Sequence, residues 1–153
     1  MAIIALLASV WQPAEARERL PGPVRAEVLK VRDGDTLTVR ARIWLGQVVD
    51  TKVRLAGVDA PELRGRCPRE RRLARAARQF VREKIGDQRV ILRDIRFGKY
   101  AGRVVARVFT IGGEDVAKAL IAAGLGRPYR GRRRRGAWCK RAGTASNFST
   151  AAT

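Results

Sequence analysis

A chain of 153 residues suits one domain with a single core and some tail, and a hydrophobic share of 46% excludes global disorder. Lys and Arg number 33 against 14 Asp and Glu, a formal net charge of +19, which points to a polyanionic partner and most often to nucleic acid. The chain has no His and only two Cys, which excludes imidazole acid–base chemistry and a four-ligand zinc site. Any phosphodiester chemistry must therefore rest on carboxylates and arginines, with a hard, oxygen-bound cation such as Ca²⁺ or Mg²⁺ if a metal takes part.

Residues 1–11, MAIIALLASVW, form an apolar run too short to span a bilayer, followed by the small-x-small pattern Ala14-Glu15-Ala16. The segment 1–16 reads as a signal peptide; its removal would take one carboxylate and no Lys or Arg, raising the charge from +19 to +20. The expected compartment is therefore secreted or periplasmic.

A short strand is predicted at Ala26–Val31. From Leu37 the pattern alternates: Leu37, Val39, Ala41, Ile43 and Leu45 face one way and Thr38, Arg40, Arg42 and Trp44 the other, a half-buried strand. A turn at Gly46-Gln47 and a renewed alternation through Val49, Thr51, Val53 and Leu55 make a hairpin. The period then changes. Leu73, Ala76, Ala77, Phe80, Val81 and Ile85 recur at three- and four-residue spacing, predicting an amphipathic helix over Pro68–Ile85, with Pro68 suited to its first turn and Gly86 to its stop. Strands follow near Arg89–Asp94 and Arg103–Ile111, then a helix over about Glu114–Ala123 with Glu114 and Asp115 at its positive end. Arg130 and Arg132 to Arg135 begin an Arg-rich segment, 130–139; residues 140–153, rich in Ala, Ser and Thr, read as a disordered tail. This order predicts an α+β fold, a five-stranded oligonucleotide-binding (OB-fold) β-barrel with packed helices.

Two carboxylate motifs fall at strand ends. Asp33 and Asp35 lie in DGDT, and Asp59 and Glu62 in RLAGVDAPE. Each alone reads as a turn, but together they offer enough oxygen to hold one hard cation and leave a carboxylate free as a base. Arg54 and Arg103 could meet the charge that builds on a transferring phosphoryl group, but among 33 basic residues spacing alone selects neither over solvated surface; Tyr100 and Tyr129 could stack bases or contact phosphate, the alternative being plain packing. Cys67 and Cys139, in an exported chain, pair most economically with each other; the alternative is one buried and one free thiol.

In these motifs the chain resembles the staphylococcal nuclease (thermonuclease) family over about Val24–Leu125, with DGDT at 33–36, RLAGVDAPE at 54–62, KYAGR at 99–103 and a helix ending AAGL in order. The resemblance implies Ca²⁺-dependent hydrolysis of DNA and RNA to 3′-phosphate products by a domain over 24–129. It implies Asp35, Asp59 and the Ala60 carbonyl as calcium ligands, where the family commonly has Thr at the last position. It further implies Glu62 as the residue that orients or deprotonates water, Arg54 and Arg103 as stabilisers of the pentacoordinate transition state, and Tyr100 and Tyr129 as nucleotide contacts. The chain departs from the family pattern in having Gly98 in place of an Asp and an extra Ala101 before Gly102-Arg103.

Two other functions compete. A non-catalytic nucleic-acid-binding barrel would hold strands by charge and stacking, but aromatics are only 6% and the carboxylates would repel phosphate without a cation between them. A cationic protein acting on membranes or acidic glycans would need a helix both basic and strongly apolar, which neither predicted helix is. No stable membrane association of the mature chain is expected, and a monomer is.

Overall fold

The computed structural model describes residues 18–99, 102–131 and 138–139. The segment expected as a signal peptide, Tyr100, Arg132 to Arg135 and the tail expected at 140–153 lie outside them.

Strand β1 (Arg19–Leu20) edges the sheet. Strands β2 (Val24–Asp33), β3 (Thr36–Trp44) and β4 (Gln47–Leu55) form an antiparallel meander. After β5 (Val58–Asp59) comes helix α1 (Pro68–Ile85), then strands β6 (Arg89–Phe97) and β7 (Arg103–Thr110), helix α2 (Val116–Ala122) and β8 (Arg127–Pro128). Strand β7 runs parallel to β4 and antiparallel to β6, and β6 pairs with β2, so β6-β2-β3-β4-β7 closes on itself. This is the expected five-stranded barrel with two helices. The inward residues of each strand fill it: Val28, Val39, Val53, Leu92 and Val108 are all buried.

Helix α1 has the predicted bounds. Cys67 is its N-cap, its Sγ accepting from the Glu70 N–H at 3.5 Å, with Pro68 in the first turn, where a missing N–H costs no hydrogen bond. Its buried face is Ala74, Ala77, Val81 and Ile85, rotated from the expected stripe, so Ala76 is exposed. At Ala77 the inner face must be small because the backbone of the turn at Gly34 comes very close. A Cβ on Gly34 would sit 2.7 Å from the Ala77 Cβ and 3.0 Å from the Ala60 Cβ. The glycine of DGDT is thus required where turn, helix and the loop after β5 converge. Helix α2 starts later than expected because Asp115 is its cap, with Oδ1 accepting from the Ala117 and Lys118 N–H groups.

The hairpin also departs from the expected reading. Ile43, Leu45 and Val49, expected inside, are exposed, with Leu45 at 86%, and the turn is Leu45-Gly46. The reason is length. Strand β2 accompanies β3 only to Ala26↔Ala41, so the hairpin tip continues past the barrel wall, where no described strand pairs beyond it to cover its apolar side.

Candidate active site

Asp35 follows Gly34 at the turn between β2 and β3. The residue is 6% exposed, and its Oδ1 accepts from the Thr36 hydroxyl at 2.8 Å. Oδ2 accepts the Arg54 guanidinium at 2.7 Å and the Ala60 N–H at 3.3 Å. Strand pairing brings these groups together: Thr36 is opposite Arg54 in the β3–β4 ladder, and the Leu55 N–H donates to the Asp35 carbonyl at 2.8 Å. The same guanidinium lies 3.5 Å from Asp59 Oδ1. Asp59, 9% exposed, stands on β5, which the chain reaches through a turn at Gly57 (φ 81°), and pairs across the ladder with Arg127. Two largely buried carboxylates from separate segments therefore share one arginine.

Beside them opens a cleft of about 630 Å³ lined by Arg54, Asp59, Arg103 and Tyr129, together with Arg96, Lys99 and Arg130. Arg103 thus reaches the cleft despite the extra residue before it. The Tyr129 N–H donates to the Gly57 carbonyl at 2.9 Å, which sets the ring 5.7 Å from the Arg54 guanidinium carbon. Glu62 is half-buried two residues after Ala60 and is not among the described residues lining the cleft. Tyr100 falls outside the described residues.

Asp33, at the end of β2, is pushed above the usual carboxylate range. Burial is the main cause and the nearby Asp35 charge adds to it, against the Leu63 N–H, Arg78 and Arg32.

Cys67 and Cys139 are joined in a disulfide with Cα atoms 5.8 Å apart. Trp138, buried beside it, carries the Arg127 guanidinium 3.9 Å from its ring. Through this stack and the β5–β8 pairing, the Trp138-Cys139 segment is tied to both Asp59 and the start of α1.

Sequence reasoning did not single out Arg96 or Lys99 as cleft residues. Lys99 is the first residue of KYAGR and was findable on that ground. Arg96 enters through register alone: it pairs with Val105, which pairs with Arg54 on the far side.

An oligonucleotide-binding barrel whose basic cleft is lined by Asp59 and by Arg54, which ties in Asp35 from behind the lining, belongs to the nuclease-like class of nucleic-acid proteins. Within that class the chain belongs to the staphylococcal nuclease homologue family, which matches residues 52–145. The match begins inside β4, so Asp35 and the DGDT turn precede it and are joined to it through Arg54. No curated protein matches the chain.

Proposed function

We propose that the chain is a Ca²⁺-dependent endonuclease that hydrolyses DNA and RNA to 3′-phosphate products. The observation that carries this reading is the Arg54 guanidinium shared by Asp35 and Asp59 at the edge of a cleft that also holds Arg103.

One guanidinium compensates one of two largely buried carboxylates, which leaves negative charge for a cation, and the donors are all oxygen, as a hard ion requires. The residues fit Ca²⁺, with Asp35, Asp59 and the Ala60 carbonyl holding it. A divalent cation bound there supplies positive charge to the non-bridging oxygens of the scissile phosphate. Glu62 orients the attacking water and accepts its proton. Arg54 and Arg103 donate to the oxygens on which charge accumulates as phosphorus becomes pentacoordinate. The 5′-oxygen leaves and the phosphate stays on the 3′ side. Tyr129 contacts the nucleotide, as does Tyr100.

The domain doing this is 24–129, acting as a monomer with a site built from one chain, and the Arg-rich segment 130–139 strengthens its hold on substrate. The Cys67–Cys139 disulfide supports an oxidising, secreted or periplasmic location after removal of residues 1–16. Among the described residues no helix is long and apolar enough to cross a membrane. Plasmid digestion tests the reading: cutting with Ca²⁺ that stops in chelator is expected, and binding without cutting under any divalent cation would reduce the chain to a binding module.

A further inference from the structure

Helix α1 carries six Arg and one Lys against two Glu. Both acids are engaged: Glu70 Oε2 accepts from the Arg66 N–H at 3.0 Å, and Glu83 accepts from Gln79 at 2.9 Å. Some of the cations are engaged too. Lys84 pairs with Glu114 at 2.9 Å, and Arg78 donates to the Val31 carbonyl at 3.0 Å. Arg72, Arg75 and Arg82 are different. They are exposed and, among the described residues, make no ion pair or side-chain hydrogen bond.

At 100° per residue these three fall within about a quarter turn of one another, and at about 1.5 Å rise per residue their row is roughly 15 Å long. A duplex strand presents a phosphate about every 3.4 Å of axis, so the row spans about four. Their placement works against the helix itself. Arg72/Arg75 and Arg75/Arg78 are like charges at i, i+3, and Arg78/Arg82 at i, i+4, all of which weaken an isolated helix. An external polyanion relieves that repulsion. The row also has a continuation on the barrel, because Lys30 of β2 and Arg82 line one groove of about 420 Å³. The opposite face of the helix, at Ala77, backs the DGDT turn that carries Asp35.

We infer that Arg72, Arg75 and Arg82 form an exosite for the phosphodiester backbone of a polynucleotide outside the cleft. The exosite favours polymers over short oligonucleotides. Its catalytic consequence rests on the nuclease reading; the binding itself does not.

The test is the triple variant Arg72→Gln/Arg75→Gln/Arg82→Gln, in which Gln keeps helix propensity and circular dichroism checks the fold. In chelator, the log–log salt dependence of duplex DNA binding is expected to become less steep by about 2–3, at about 0.9 for each phosphate no longer neutralised. With Ca²⁺, KM for plasmid DNA is expected to rise about tenfold while kcat/KM for a short single-stranded oligonucleotide stays at the wild-type value, the tenfold standing for those missing phosphate pairings. An unchanged salt slope overturns the exosite, as does an equal decline on both substrates. Wild-type protein that binds DNA but cuts neither substrate defeats the nuclease reading alone, and the salt slope then decides the exosite.

Discussion

The Arg54 guanidinium donates to the Asp35 carboxylate at 2.7 Å and reaches Asp59 at 3.5 Å, so one side chain on β4 joins the turn after β2 to strand β5. Removing it unpairs two largely buried carboxylates at once. Arg54→Ala is expected to lower the cutting rate by ~10²–10³, the usual effect of losing a donor aimed at developing charge. Arg54→Lys should not restore it, because an ammonium lacks the planar fork that addresses two oxygens together. Initial rates of plasmid cutting decide this, and a wild-type rate for Arg54→Ala would remove the transition-state role.

The carboxylates make a second prediction that needs no turnover. A cation bound by the native state alone raises the melting temperature with its concentration. Ca²⁺ should stabilise the wild-type protein against heat, and Asp35→Asn and Asp59→Asn should each lose most of that rise. Thermal melts with Ca²⁺ and with chelator measure it. Equal Ca²⁺ shifts in all three proteins would place the ion elsewhere.

Asp33 gives a pH dependence. Its folded pKa is raised by burial and by Asp35, so the native state holds this proton more tightly than the unfolded chain does. Stability from this group therefore falls as pH rises from about 3.9, the unfolded value, through the folded one, and stays lower at neutral pH. Asp33→Asn, which keeps an acceptor for the Leu63 N–H, is expected to melt higher than wild type at pH 7 in chelator. The gap should close on acidification below about pH 4. A variant that melts lower than wild type at pH 7 would contradict the assignment.

The Cys67–Cys139 disulfide closes a separation of 72 residues, for which chain entropy predicts about 4 kcal/mol of stabilisation. Reduction should lower the melting temperature, and Cys139→Ser should match the reduced protein. Because Trp138 and Arg127 connect the disulfide to the Asp59 strand, DNA affinity should weaken in parallel. Fluorescence anisotropy with and without reductant reads this out, and affinity indifferent to reduction would leave the disulfide a purely structural role.

Much of the fold is written locally. The three- and four-residue spacing from Leu73 to Ile85, bounded by Pro68 and Gly86, sets the limits of α1, since a helix is decided by contacts within one or two turns. The two-residue alternation of Leu37, Val39 and Ala41 decides which face of β3 turns inward. The motifs DGDT and RLAGVDAPE are enough to name Asp35, Arg54 and Asp59. Their mutual geometry is another matter. That Arg54 bonds Asp35, that Ile43 and Leu45 lie beyond the barrel wall, and that Arg96 shares a cross-strand row with Arg54 all follow from register and closure. The parallel β4–β7 pairing joins strands with α1 and β6 between them in the chain, and a shift between Arg93 and Arg96 sets Arg96 opposite Val105. Alternation is the same in every register, so it decides which residues face inward but not which strands meet or where a strand outruns its neighbour. Those choices belong to the closed barrel, where each pairing constrains the next.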